Sequence, residues 1–145
     1  MLEYHNILVG LDGSELADHA FDQAIAIAKR NQAKLFIAQI IPDDLYVNDS
    51  MTFPAASIDA EKKSVKQYLE QKVAFAKEQG VAEVQLILRT GSARRELALT
   101  IPAEFNIDLT ILGISGKGAI ERLLMGSVAQ FVSIHSVSNV LLIKS

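Results

Sequence analysis

The chain has 145 residues, of which 50% are hydrophobic and 21% are charged, and its formal net charge is -3. This length and composition predict one soluble domain over residues 1–145 with an ordinary hydrophobic core. The charge balance excludes a strongly basic surface for nucleic acid, and the absence of cysteine excludes a disulfide framework, a thiolate metal site and a cysteine nucleophile. No apolar run approaches the ~18 residues that span a bilayer, and the first residues do not resemble a secretory signal, so we expect a cytoplasmic protein without a membrane partner.

The first third of the chain alternates short apolar runs with a longer segment of helical period. Residues 6–11 (NILVGL) predict a buried strand that a DGS turn closes, and Ser14 is the predicted N-cap of the next helix. Residues 33–41 predict a second strand, which ends before Pro42. The helix between the strands is indicated by an apolar stripe that comprises Ala17, Ala20, Phe21, Ala24, Ile27 and Ala28.

The segment 42–59 shows no dependable period and contains several turn-forming residues, so we predict a long loop there. A lid, a partner surface and a variable surface excursion are all compatible with such a loop. A second helix is predicted from about Glu61, and Gly80 lies where a C-terminal cap is expected.

The second half of the chain continues the same alternation. Residues 82–89 predict the third strand, and a third helix is predicted to begin at Ser92. Pro102 must kink or shorten this helix, because proline lacks the N–H that a helix interior requires. Residues 107–112 predict the fourth strand.

A fourth helix and a fifth strand complete the pattern. Ser127 and Gln130 have the spacing of a capping box, which predicts a helix start at Ser127, and residues 139–144 predict the last strand. The order β-α-β-α-β-α-β-α-β is typical of a three-layer α/β/α sandwich with a parallel sheet. In such sheets, ligands bind beyond the carboxyl ends of the strands where the winding reverses, so the turns LDGS (11–14) and GISGKG (113–118) compete for that place.

Residues 113–127 contain four of the eight glycines of the chain. These glycines let the backbone take positive φ and approach a ligand closely, because no Cβ intervenes. The next helix would present unpaired amides near Ser127 and Val128, where phosphate binds readily. The loop matches neither the P-loop, since Gly118 stands where Ser or Thr is required, nor the dinucleotide fingerprint, since Glu121 replaces its third glycine.

The spacing of these glycines resembles that of a known family. Gly113, Gly116 and Gly126 with Ser127 follow the pattern G-2x-G-9x-G(S/T) of universal stress proteins. The resemblance covers nearly the whole chain, because the segments NILVGLDGSELADHAFDQAIAIA, IDLTILG and RLLMGSVAQFVSIHSVSNVLLIK also resemble that family. It implies one universal stress protein domain over 1–145, a Rossmann-like sheet in the strand order 3-2-1-4-5, and a homodimer formed through the last strand. This strand order would put the ends of the first and fourth strands side by side, so the two turns need not compete.

The glycine pattern resembles the branch of the family that binds ATP, and this resemblance implies the contacts. Asp12 would meet the ribose or the phosphates, although it could also simply cap the turn after the first strand. The backbone near Ile40 would meet the adenine. Ser115 stands where the family often has arginine, and Lys117 and Arg122 are candidates to replace that charge. The full predicted nucleotide-binding set is Leu11, Asp12, Ile40, Gly113, Ser115, Gly116, Lys117, Arg122, Gly126, Ser127 and Val128.

Three functional hypotheses remain open. The first is a homodimeric regulatory module that binds ATP, or alternatively ADP or AMP, together with Mg²⁺, and in which the nucleotide changes the loop and a partner-facing surface. The second is a slow Mg²⁺-dependent ATP hydrolase in which Asp12 positions water or metal, and the third is a nucleotide-free dimer that acts through protein contacts. We assign no catalytic residue and no metal ligand, because no base or magnesium-binding pair is evident and the three histidines lack ligand spacing.

Overall fold

The computed structural model describes residues 3–43, 55–116 and 125–145, with the backbone alone for 55–57. Five parallel strands form one sheet in the order β3-β2-β1-β4-β5, which confirms the predicted topology. β1 pairs with β2 on one side and with β4 on the other, so the direction of winding reverses at β1. The strands are β1 (Asn6–Gly10), β2 (Lys34–Pro42), β3 (Val84–Gly91), β4 (Leu109–Gly113) and β5 (Asn139–Ile143).

Helices from the described ranges cover both faces of the sheet. None of them combines the length and the apolar character that crossing a membrane requires. The third helical segment, α3, consists of Ala93–Arg95, a π-helical stretch Glu96–Thr100 and a last turn Ile101–Phe105. The helical segments are α1 (Glu15–Asn31), α2 (Ala55–Glu78), α3 (93–105) and α4 (Ser127–His135).

Each face of the sheet has its own hydrophobic core. Because successive strand residues point to opposite faces, Ile7 and Val9 of β1 pack in the core beneath α1 and α2, whereas Leu8 packs beneath α3 and α4. All three side chains are fully buried. The apolar stripe predicted for α1 is also buried, and Phe21 is its largest member. The predicted three-layer sandwich is therefore confirmed.

The start of α1 follows its sequence signals. Oγ of Ser14 accepts the N–H of Ala17 at 3.1 Å, which confirms Ser14 as the N-cap. Since β1 ends at Gly10, only residues 11–14 connect the strand to the helix. This short connection holds the first turn of α1 close to the carboxyl edge of the sheet.

The second helix begins earlier than predicted. α2 starts at Ala55, before the predicted Glu61, and β2 extends to Pro42, so the predicted loop is wrong at both ends. Residues 59–64 are exposed, so this part of α2 carries no apolar stripe from which a helix could be recognised. The middle of the predicted loop, residues 44–54, lies outside the described residues.

Pro102 distorts α3 without ending it. Proline has no N–H, so the carbonyl of Ala98 loses the donor that a regular α-helix would supply. The N–H of Val137 donates to this carbonyl at 3.3 Å, and the chain passes through a π-helical stretch before the helix ends at Phe105. The predicted irregularity is confirmed, and its consequence is a contact between α3 and the turn that joins α4 to β5.

Candidate functional site

The carboxyl ends of β1 and β4 lie side by side at one edge of the sheet. The two strands pair in parallel, with Val9 opposite Ile111, so the segments that follow them leave the sheet next to each other. A Cβ placed on Gly116 would lie only 2.8 Å from Oδ2 of Asp12. The turn at 11–14 and the described start of the glycine loop, 113–116, therefore meet at one place, as the strand order implied.

Asp12 stabilises the turn after β1. Its Oδ1 accepts the N–H of Ser14 at 2.9 Å, and Gly13 between them has a φ of +84°. Leu11 is buried, and its N–H donates to the carbonyl of Ala38 at 2.8 Å, which continues the pairing of β1 with β2. The turn-capping role considered for Asp12 is thus present, and the residue lies exposed at the edge of the sheet.

The described glycines at the end of β4 and at the base of the loop allow close packing and do not adopt positive φ. Gly113, Gly116 and Gly126 all lie outside the left-handed region, so they do not use the positive φ that glycine permits. Gly118 lies outside the described residues. A Cβ on Gly113 would lie 2.9 Å from Cγ of Leu16 in α1, and a Cβ on Gly126 would lie 3.1 Å from Cα of Ser115. The space beside each glycine is therefore taken by another part of the protein, because α1 and the loop backbone approach too closely for a side chain.

Two backbone hydrogen bonds close the base of the loop. The N–H of Ile114 donates to the carbonyl of Ile143 in β5 at 2.9 Å, and the N–H of Gly126 donates to the carbonyl of Ile114 at 2.8 Å. The chain thus returns to the point from which it left the sheet. The two candidate cations of the loop, Lys117 and Arg122, lie outside the described residues.

Gly126 is the N-cap of α4, and Ser127 is its first helical residue. The backbone at Gly126 is extended, with φ −66° and ψ 158°, and its carbonyl accepts the N–H of Gln130 at 2.9 Å. The predicted capping box is therefore wrong. The physical reason is the bond from Gly126 to Ile114, which holds residue 126 at the base of the loop and makes its carbonyl the first acceptor of the helix.

The first turn of α4 presents backbone amides that no described residue caps. Gly126 offers no side-chain acceptor, and the N–H groups of Ser127 and Val128 find none elsewhere in the described ranges. Ser127 is exposed, whereas Val128 packs partly against the core beneath α3 and α4. These amides lie at the positive end of the helix dipole, which favours an anion.

Ile40, the predicted neighbour of the adenine, lies near the end of β2. Its side chain is 8% exposed and belongs to the core, so its backbone is the part that can face a ligand at the edge. Ile40 pairs with Arg89 of β3, whose guanidinium bonds Glu96 at 3.2 Å and Glu104 at 2.6 Å. The hydrogen bond to Glu104 is the largest cause that raises the pKa of Arg89. This cation is therefore neutralised by the protein itself.

A polar cluster between α1 and α2 was missed by the sequence analysis. Oδ1 of Asp18 accepts from the hydroxyl of Tyr68 at 3.3 Å and from the ammonium of Lys72 at 3.1 Å. Burial, then the charge and hydrogen bond of Asp18, and finally the charge of Asp12, raise the pKa of Tyr68 to about 12. The spacing of Tyr68 and Lys72, one helical turn apart, is a signal that could have indicated a shared partner.

Fold and site together define a class of protein: a Rossmann-like α/β fold whose candidate ligand site lies where the winding of a parallel sheet reverses. The family model described as "Universal stress protein family" matches residues 3–144. The chain belongs to the universal stress protein family, as its glycine pattern predicted.

Relatives and solved structures agree with this assignment. A putative universal stress protein of Staphylococcus aureus (strain USA300) is 33% identical over 145 residues, which are 100% of this chain and 87% of the relative. The structure of universal stress protein UspA from Lactobacillus plantarum is 28% identical, has a TM-score of 0.88 and is matched over 99% of both chains. A universal stress protein crystallised in complex with cAMP is 28% identical, with a TM-score of 0.72 and coverage of 99% of this chain and 100% of that one.

Proposed function

We propose that this protein is a regulatory module that binds ATP at the carboxyl edge of β1 and β4. The observation that carries the proposal is the meeting of three features at this edge: the carboxylate of Asp12, the loop base at Gly116 and the uncapped start of α4. A Cβ on Gly126 would lie 3.5 Å from the backbone nitrogen of Gly116, so the loop base joins the helix start to the turn of Asp12. The cAMP complex of a 28% identical relative supports an adenine nucleotide as the ligand class.

Each part of the nucleotide has a proposed partner. The phosphates lie at the amides of Ser127 and Val128, because these amides lack acceptors in the described structure and lie at the positive end of the helix dipole. The ribose lies beside Asp12, and the adenine lies against the backbone of Ile40. Leu11, Gly113, Ser115, Gly116 and Gly126 form the wall of the site, and Lys117 and Arg122 supply positive charge.

Mg²⁺ accompanies the phosphates in this proposal. Among the described residues, no group of three or more metal-ligating side chains is arranged to hold a metal ion. Magnesium commonly retains several waters and binds through phosphate oxygens with few protein ligands. We therefore propose that the phosphates and water coordinate the ion.

Regulation requires that the nucleotide distinguish between two states of the loop. In our proposal, ATP binds better to the state in which the first turn of α4 and the loop base enclose the phosphates, and the outer surface of that state contacts a cytoplasmic protein partner. The protein acts as a homodimer through β5, an edge strand that pairs with β4 alone within the described sheet and exposes Leu141.

Native mass spectrometry of the purified protein tests the ligand and the assembly together. We expect a species of twice 15.8 kDa that carries one adenine nucleotide per chain. A monomer contradicts the dimer, and a consistent lack of nucleotide, with no calorimetric binding of ATP, favours a nucleotide-free interaction protein. If the native protein releases phosphate from ATP and Asp12→Asn abolishes that release, the result favours a slow hydrolase over a regulatory module.

The variant Ser127→Asp tests the phosphate position. A carboxylate at this exposed first residue of α4 stabilises the helix through its dipole but repels phosphate, because two unit charges ~4 Å apart interact by about 4 kcal/mol near a protein surface. We expect calorimetry to show ATP binding weakened at least tenfold, with adenosine binding unchanged.

Ser133→Asp is the matched control, because it adds the same charge at an exposed position nearer the other end of α4. It should leave ATP affinity within about twofold, since this charge lies about 9 Å farther along the helix axis than residue 127, and salt screens exposed charges over about 10 Å. The proposed phosphate site is contradicted if the two variants weaken ATP binding equally. It is also contradicted if Ser127→Asp weakens the binding of ATP and adenosine equally.

A further inference from the structure

A groove of about 500 Å³ opens at the amino edge of the sheet, opposite to the candidate nucleotide site. It lies on the α1 face, between the last turns of α1 and the first residues of β4 and β5. Ile27 and Leu109 form apolar walls, and Leu141 of β5 contributes a side chain that is 36% exposed. A volume of this size falls within the range of about 300–1,000 Å³ that is typical of small-molecule sites.

Some polar groups of the groove form hydrogen bonds within the protein, whereas others are available to a ligand. Asn31 is used twice, because its Oδ1 accepts the N–H of Tyr4 at 3.0 Å and its Nδ2 donates to the carbonyl of Ile27 at 2.9 Å. The hydroxyl of Tyr4 accepts from Nδ2 of Asn139 at 3.3 Å and therefore keeps its own hydrogen to donate. Arg30 forms no ion pair with any residue of the described ranges.

The available groups therefore favour a ligand that has an anionic group at one end and an otherwise apolar body. The guanidinium of Arg30 and the hydroxyl of Tyr4 are both donors, and a guanidinium binds a carboxylate through two parallel hydrogen bonds. Asp108, which precedes Leu109, is directed to the backbone next to Tyr4, because its carboxylate accepts the N–H groups of His5 at 2.8 Å and Asn6 at 3.1 Å.

We propose that this groove is a second ligand site, which takes a small carboxylic acid with an apolar chain or ring. The carboxylate pairs with Arg30 and the hydroxyl of Tyr4, and the apolar body covers Leu109 and Leu141. The groove opens on the face of the sheet, whereas pairing at the edge of β5 occurs in the plane of the sheet, so the two can coexist.

A titration of the full chain with octanoate, followed by ¹H–¹⁵N correlation spectra, tests this site. Below the concentration at which octanoate forms micelles, we expect saturable shift changes at the amides of Leu109, Asn139 and Leu141. 1-Octanol, which has the same apolar chain without the charge, should bind more weakly at the same amides. The titration should be unchanged when ATP is present, because the two sites lie at opposite edges of the sheet.

The variant Arg30→Ala should weaken octanoate about fivefold, the effect of one largely exposed ion pair of about 1 kcal/mol, and should leave 1-octanol unaffected. Lys29→Ala is the matched control. It removes the same charge from the neighbouring residue, whose side chain extends towards Gly80 on the α2 side. The proposal is overturned if shift changes are absent from the three amides, if both variants weaken octanoate equally, or if a second copy of the chain covers the groove and blocks binding.

Discussion

The turn after β1 and the loop after β4 meet at the same edge, yet they use glycine for different physical reasons. In the first, Gly13 has a φ of +84°, and a Cβ there would meet nothing within 4 Å. In the second, Gly113, Gly116 and Gly126 lie outside the left-handed region, but a Cβ on each would lie 2.8–3.1 Å from another atom of the protein. One turn thus needs a conformation that side chains disfavour, and the other needs space that side chains would fill.

This difference predicts separate consequences for substitutions in the two regions. A substitution at Gly13 should strain the backbone and so lower the free energy of unfolding, but it should leave the shape of the site intact. A change at Gly126 should move the loop base, because the atom in the way is the Cα of Ser115, which cannot rotate aside.

The largest effect is expected for Gly126→Val. The added side chain pushes Ser115 away and separates the loop base from the first turn of α4, so ATP affinity should fall at least about 100-fold, equivalent to about 2.8 kcal/mol. Calorimetry measures the affinity. The ATP affinity of Gly126→Ala, which adds the Cβ alone, should lie between those of Gly126→Val and the native protein.

Gly80→Val serves as the control for this loss. Gly80 follows α2 with a φ of +110°, so the substitution should destabilise the fold without touching the loop. A similar loss of ATP affinity in Gly126→Val and Gly80→Val would mean that instability, rather than loop geometry, reduces binding.

A smaller effect is expected for Gly13→Ala. The left-handed conformation costs an L-residue about 1–2 kcal/mol, so the free energy of unfolding should fall by about 1 kcal/mol, as measured by urea denaturation. Gly13→Asn should recover part of this loss, because asparagine tolerates positive φ. Equal stability of the alanine and asparagine variants would show that conformation is not the reason for glycine here.

The smallest effect concerns the charge of Asp12, which is one of the causes that raise the pKa of Tyr68 to about 12. Asp12→Asn should lower this pKa slightly, and Asp18→Asn should lower it more, because Asp18 also accepts the hydroxyl hydrogen bond. Ultraviolet titration of tyrosinate, with Tyr68→Phe as the reference, measures both shifts. A larger shift in Asp12→Asn than in Asp18→Asn would contradict the arrangement.

The same pKa predicts a dependence of stability on pH. The folded state raises the pKa of Tyr68 from 10.0, so its contribution to stability is complete below about pH 10 and is lost as the pH rises towards 12. Tyr68→Phe should remove this part of the alkaline loss in the free energy of unfolding.

Much of the fold could be predicted because periodicity reports burial directly. The α1 stripe that includes Phe21 is buried as expected, and the strand order 3-2-1-4-5 follows the resemblance to the family. The start of α2 could not be predicted, because residues 59–64 are exposed and therefore carry no apolar pattern. For the site, the glycine spacing identified the loop, but it did not indicate which atoms of the protein approach each glycine.

The sequence by itself determined the alternation of strands and helices, the family and the edge of the sheet at which the glycine loop lies, because these depend on local patterns of apolar residues and glycine. Only the tertiary structure decided that Asp12 fills the space beside Gly116, that Gly126 rather than Ser127 caps α4, and that Arg30 lies at a groove without an ion-pair partner among the described residues. These features depend on contacts between segments that are distant along the chain, and no local pattern specifies which atoms meet.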